Sequence, residues 1–133
     1  MALQRTADAL VRPFEDLMKA HGLSATQYNV LRILRGAGSA GLACSEIGER
    51  MITRDPDITR LLDRMESRKL VQRARAREDR RVILAHITPE GSEVLKSLDP
   101  PVEDLHHKML SHMGQASLRS LLKLLGAART PGQ

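Results

Sequence analysis

Ile58, Leu61, Leu62 and Met65 recur at i, i+3, i+4 and i+7, the spacing that puts four apolar side chains on one face of an α-helix. Pro56, Thr59, Arg60, Asp63 and Ser67 fall on the opposite face. Asp55 followed by Pro56 is a start signal, because Asp caps free amides and Pro loses nothing at the first helical position. The helix is therefore expected to begin near Pro56. After Lys69 the period drops to two: Leu70, Gln72 and Ala74 alternate with Val71, Arg73 and Arg75, and Arg81 to Thr88 (RVILAHIT) supplies a second β-branched run. The charged tip Ala76 to Arg80 lies between them, so the pattern predicts a helix followed at once by a β-hairpin.

The remaining periodic stretches are helical. Leu3, Ala7, Leu10, Phe14 and Leu17 repeat at alternating spacings of four and three, the seam of a helix that packs on other helices. Pro13 removes a hydrogen bond inside it, which predicts a bend or break near Leu10. Gly22 ends this element, and Ser24 caps a second one that turns Tyr28, Leu31 and Leu34, or Val30 and Ile33, inward before Gly36 and Gly38 stop it. Gly41 to Cys44 is a short extended piece able to pair with the hairpin; Ser45 begins another helix, with Ile47 and Met51 facing the core. With the helix at Pro56 it forms a helix-turn-helix, normally a bracing helix and a reading helix. Val94, Leu95, Leu98, Val102, Leu105, Met109 and Met113 form a last long seam. Asp99-Pro100-Pro101 interrupts it without shifting its phase, which predicts one kinked helix or two nearly collinear ones. Gly114 is a break before a final helix with Leu118, Leu121, Leu122 and Leu125 on one face, and the tail Thr130 to Gln133 is expected to fray. The fold class is thus mainly α with a small β-wing.

A chain of 133 residues is about one domain with a single core. One Phe, one Tyr and no Trp leave no stacking platform for unpaired bases, which argues against single-stranded nucleic acid and keeps duplex DNA open. The net charge of +5 is local: from Arg50 to Arg81 eleven basic residues face six acidic ones, and the remainder of the chain is balanced. The excess coincides with the helix and hairpin, and a ribbon this basic suits a phosphate-lined groove better than a protein core. Cys44 is the single cysteine, so no intramolecular disulfide forms and a reducing compartment is expected. No apolar run reaches the roughly 18 residues of a membrane span and the N-terminus lacks a signal-peptide pattern, so the expected location is the cytoplasm, away from any membrane.

The hairpin and its exit, Asp79-Arg80-Arg81-Val82-Ile83-Leu84-Ala85-His86-Ile87-Thr88-Pro89-Glu90-Gly91, resemble the wing motif of the MarR (multiple antibiotic resistance regulator) family: D-x-R, five apolar or small positions, then L/I-T-x-x-G. ITRLLDRMESRKLVQR upstream resembles that family's recognition helix and first wing strand. The resemblance implies one domain over residues 1–133: a winged helix-turn-helix at about 24–91, flanked by dimerisation helices at about 2–21 and 89–128. It further implies a homodimeric transcription regulator, most often a repressor, that binds a palindromic duplex and is released by a small-molecule effector seated between the dimer helices and the DNA-binding part. Two long apolar seams at opposite ends of the chain independently suit helices that interlock with a second subunit. Asp55 and Asp57 depart from the family's usual Ser, Thr or Asn at the helix entrance. Acids there favour the helix N-terminus and repel phosphate, although an Asp can also accept from the amino group of cytosine.

For the site, the resemblance places Arg81 in a minor groove, oriented by Asp79, and an Arg in a narrow minor groove does meet enhanced negative potential. The plain alternative is an exposed ion pair, which stabilises little. Thr59 and Arg60 lie where side chains reach bases or phosphates; Arg64 and Arg68 lie farther along and suit backbone phosphate, unless Arg64 pairs with Asp63 or Glu66. Arg54, Arg77 and Arg80 complete the basic set. His106, His107 and His112 contain no His pair at i and i+4, and Glu103 with His107 is one ligand pair at most, so surface histidines rather than a metal site are expected. Cys44 reads as part of a short buried strand, where thiols are inert rather than redox-sensing. No cofactor is expected, and no nucleophile, base and orienter occur at recognisable spacing, which excludes the common enzyme classes. A winged-helix module that binds another protein through its wing charges is the rival, and steep salt dependence separates the two.

Overall fold

The computed structural model describes residues 1–132; Gln133, part of the tail expected to fray, lies outside the described residues. Helix α1 spans Ala2–Ala20 and α2 Ala25–Ala37; strand β1 is Leu42–Ala43, α3 is Cys44–Arg50 and α4 is Ile58–Ser67. Strands β2, Val71–Arg75, and β3, Ile83–Ile87, form the hairpin, and α5, Pro89–Leu110, and α6, Gly114–Arg129, complete the chain. The three strands form one antiparallel sheet in the order β1-β3-β2, with Leu42 opposite Ala85 and Arg73 opposite the same Ala85 from the other side.

The core is where the helical seams meet the sheet. Met18, Leu31, Leu34, Ile47, Leu62, Met65, Val71, Leu95 and Leu98 are almost fully buried, so α1, α2, α3, α4, β2 and α5 all contribute. Each loses apolar surface to one shared interior, the main favourable term in folding. The single Phe and single Tyr meet edge to face, Phe14 to Tyr28 at 5.3 Å, and His106 stacks on Phe14 at 6.2 Å, which ties α1, α2 and α5 together. Arg35 of α2 donates to both oxygens of Asp99 of α5 at 2.8 and 3.1 Å.

Several expectations need correction. Helix α1 runs unbroken through Pro13, because its C-terminal half is held by the packing of Phe14, Leu17 and Met18 on the core. Gly36 lies inside α2, which ends at Gly38 with φ +67; Ser24 does cap it, in a reciprocal capping box with Gln27. Helix α3 starts at Cys44 rather than Ser45. Of the two outcomes expected at Asp99-Pro100-Pro101, the single long helix forms: α5 continues across Pro100 and Pro101, with Leu95, Leu98 and Val102 burying the same face on both sides of the pair. Gly114, at φ +78, makes the expected break before α6.

The exit from the wing has a clear physical basis. The Thr88 hydroxyl donates to the Lys69 carbonyl at 2.6 Å and accepts from the Gly91 N–H at 3.0 Å, capping α5 and stapling it to the start of β2. A Cβ on Gly91 would come within 2.1 Å of the Leu70 carbonyl oxygen, so only glycine lets the first turn of α5 lie on that backbone.

Candidate nucleic-acid interface

Helix α4 begins two residues later than expected. Its cap is Asp57, whose Oδ1 accepts the Arg60 N–H at 3.0 Å, while Asp55 Oδ1 accepts the Asp57 N–H at 2.8 Å. Pro56 is therefore held in the turn between two acids instead of opening the helix. The Asn29 side chain of α2 anchors the same loop by accepting the Ile52 N–H at 2.8 Å. Leu61, Leu62 and Met65 are buried, which turns Thr59, Arg60 and Arg64 to solvent as the periodicity predicts. Arg60 sits 3.9 Å from Asp57, too long for a direct hydrogen bond and short enough to orient the guanidinium. Arg64 pairs with neither Asp63 nor Glu66; both acids are taken by Arg73 of β2.

At the wing tip the Arg81 Nε and Nη2 donate to the two oxygens of Asp79 at 3.0 and 3.1 Å, and the Arg81 N–H donates to Oδ1 at 3.1 Å. The guanidinium holds the Asp79 carboxyl below the usual carboxylate range, and Asp79 raises Arg81 in turn. Arg81 nevertheless keeps 90% of its side-chain surface open, so the pair is aimed outward rather than folded away. Arg77 and Arg80 are exposed beside it, and Arg54 is exposed in the loop before α4. Among the described residues none of Arg54, Arg64, Arg77 or Arg80 makes a side-chain ion pair. The surface thus has two parts: Thr59, Arg60 and Arg64 on α4, and Arg77, Asp79, Arg80 and Arg81 on the wing, with Arg54 at the helix entrance.

Two residues had escaped the sequence reading. Arg75 donates to the Arg80 carbonyl at 2.7 Å and braces the tip across the hairpin; the alternation had shown its face but not its partner. Arg73, counted among the basic excess, turns away from solvent toward α4, and the acids at 63 and 66, one turn apart, were the available signal.

Cys44 lies half-buried at the first position of α3, not in a strand. Burial pushes its thiol up, with the nearby charge of Arg73 opposing in part, which leaves little thiolate. His106 is engaged with Phe14, and Glu103 and His107 are exposed on α5; among the described residues no group of three or more His, Cys, Asp or Glu converges as a metal would require. No described helix is long and apolar enough to cross a membrane.

A helix-turn-helix, α3 and α4, that runs into a basic antiparallel wing defines the winged-helix class of DNA-binding proteins. The MarR family profile matches residues 23–83. A crystal structure of a MarR transcription factor from Planctomyces limnophilus is 39% identical, covering 94% of this chain and 90% of that one at a TM-score of 0.73. The transcriptional repressor CouR bound to a 23-mer DNA duplex is 27% identical over 97% of this chain and 90% of that one, at a TM-score of 0.84. The regulator MhqR of Bacillus subtilis is 29% identical over 105 residues, 79% of this chain and 71% of its own. The chain belongs to the MarR family, and it is a DNA-binding transcription regulator rather than an enzyme.

Proposed function

We propose that the protein is a homodimeric repressor that acts in the cytoplasm on a palindromic operator, with α4 of each subunit in a major groove and each wing in a flanking minor groove. The observation that carries this reading is the outward-aimed Arg81, fixed by a two-pronged bond to Asp79 yet 90% exposed. An arginine whose orientation is already set by Asp79 while its guanidinium stays exposed suits the negative potential of a narrow minor groove. Thr59 and Arg60 are assigned to the major groove, Arg64, Arg77 and Arg80 to backbone phosphate, and Arg54 to phosphate at the helix entrance. Residues 24–91 are the DNA-binding part, and helices 2–21 and 89–128 the dimer part. The dimer is supported by α6, which buries no residue fully and leaves Leu122 and Leu124 at 71% and 67% exposure, and by Leu3 of α1 at 63%. A small-molecule effector seated where α5 meets the DNA-binding part is the proposed release signal.

The test is selection of bound fragments from random duplex DNA at two salt concentrations. A palindrome should emerge, and its affinity should fall steeply with salt as phosphate contacts release counterions. A winged-helix module that binds protein instead would enrich no sequence.

A further inference from the structure

Arg73 and two carboxylates form the densest polar cluster outside the proposed DNA-binding surface. Asp63 and Glu66 lie one turn apart on α4, and Arg73 on β2 reaches both: its Nη2 donates to Asp63 Oδ1 and, at 3.0 Å, to Glu66 Oε1. Its backbone N–H donates to Glu66 Oε2 at 2.9 Å. Arg73 keeps 20% of its side-chain surface where Arg81 keeps 90%, so its charge is committed within the molecule. The two acids raise Arg73, and Arg73 holds the Glu66 carboxyl below its usual range. Between the end of α4 and the start of β2 stand three residues, Arg68, Lys69 and Leu70, with Lys69 at φ +61.

We propose that Arg73 is a positioning residue that clamps the wing to the recognition helix, setting the distance and angle at which the two reach their separate grooves. The proposal rests on the reading of α4 and the wing as two contacts with one duplex. Engagement of one contact raises the effective concentration of the other only if the geometry between them is held. The three-residue connection closes α4 with backbone bonds, Lys69 N–H to the Glu66 carbonyl at 2.9 Å and Leu70 N–H to the Met65 carbonyl at 3.0 Å, and Arg73 adds three bonds farther along β2, two from its guanidinium and one from its backbone N–H. The same bonds occupy two carboxylates on the helix that faces DNA, which would otherwise repel phosphate.

The test is a double-mutant cycle on the full-length protein, using the duplex recovered by selection. Arg73→Gln should weaken binding, and Arg81→Ala should weaken it too. In the Arg73→Gln background, however, the loss from Arg81→Ala should shrink, with a coupling factor on the order of three- to tenfold. Arg73 is largely covered, so Asp63→Ala, on a residue 59% exposed, breaks one arm of the clamp at the surface and guards against simple unfolding; its loss should couple to Arg81 in the same sense. Additive losses from Arg73 and Arg81 would show a general packing role and overturn the clamp while leaving the wing contact standing. A gain in affinity from Asp63→Ala would mean that its charge matters and its bond does not, which also overturns the clamp. Arg81→Ala without effect in the otherwise unaltered protein would overturn the wing reading and the clamp together.

Discussion

Asp57 shows how one side chain can serve stability and binding with opposite signs. It caps α4 through Arg60 N–H and places a negative charge at the edge of a surface proposed for phosphate. Asp57→Ala should cost about 0.5–2 kcal/mol in thermal or denaturant unfolding, the usual range for a lost cap. Asp57→Asn keeps a capping oxygen and removes the charge, so it should unfold at nearly the same temperature and bind all duplexes more tightly alike. If Asp57→Asn instead relaxes preference at one C·G pair, the residue reads a base. Gly91 is decided by contact rather than charge. The 2.1 Å approach of a built Cβ to the Leu70 carbonyl predicts that Gly91→Ala destabilises by about 1–3 kcal/mol, the range of overpacked sites, measured by denaturant midpoint.

At the level of elements, the molecule is tied together by a few polar bridges laid over apolar packing. Glu66 to Arg73 joins α4 to β2, and Asp99 to Arg35 joins α2 to α5. In both, the arginine holds the carboxyl below its ordinary value. A carboxyl whose folded pKa is depressed adds stability when ionised, and that stability is lost as pH falls through the folded value. Melting temperature should therefore stay level from neutral pH to about pH 5 and drop below about pH 4, the ordinary carboxylate range. Glu66→Gln with Asp99→Asn should lower the neutral plateau and flatten the acid limb; an unchanged acid limb would mean that other groups carry it. The elements themselves were largely legible. The three-four seam of α4, the period-two strands and the Ser24 cap are local signals, set by residues within a few positions of one another. Proline misled at 13 and 56 for a related reason: its effect depends on what the flanking turns pack against, which local sequence does not contain.

Over the whole molecule, the two ends behave differently along their own lengths. Residues 1–9 of α1 are exposed, whereas Met18 is fully buried in the core. Deleting 1–20 would therefore confuse loss of a subunit contact with loss of the core, and deleting 1–9 is the cleaner cut. Leu122→Glu with Leu124→Glu tests the other end, since both side chains stand free in the single chain. Each change should convert a dimer to a monomer in sedimentation with little change in helix content, and should weaken binding to a palindrome while sparing a half-site. A dimer of unchanged affinity after both changes would remove these helices from the interface.

Sequence alone determined the mainly α class, the helix-then-hairpin order, the basic excess over residues 50–81 and the D-x-R tip with its T-x-x-G exit, because each is carried by neighbours in the chain. The tertiary structure decided which arginines remain free. Arg73, Arg75 and Arg81 alternate along one hairpin and look alike as letters. One is half-buried against two acids, one braces a carbonyl, and one is aimed at solvent. Their partners lie on another helix, across the ribbon, or two residues away, and a charge is committed or available only once the fold has brought its partner within hydrogen-bonding reach.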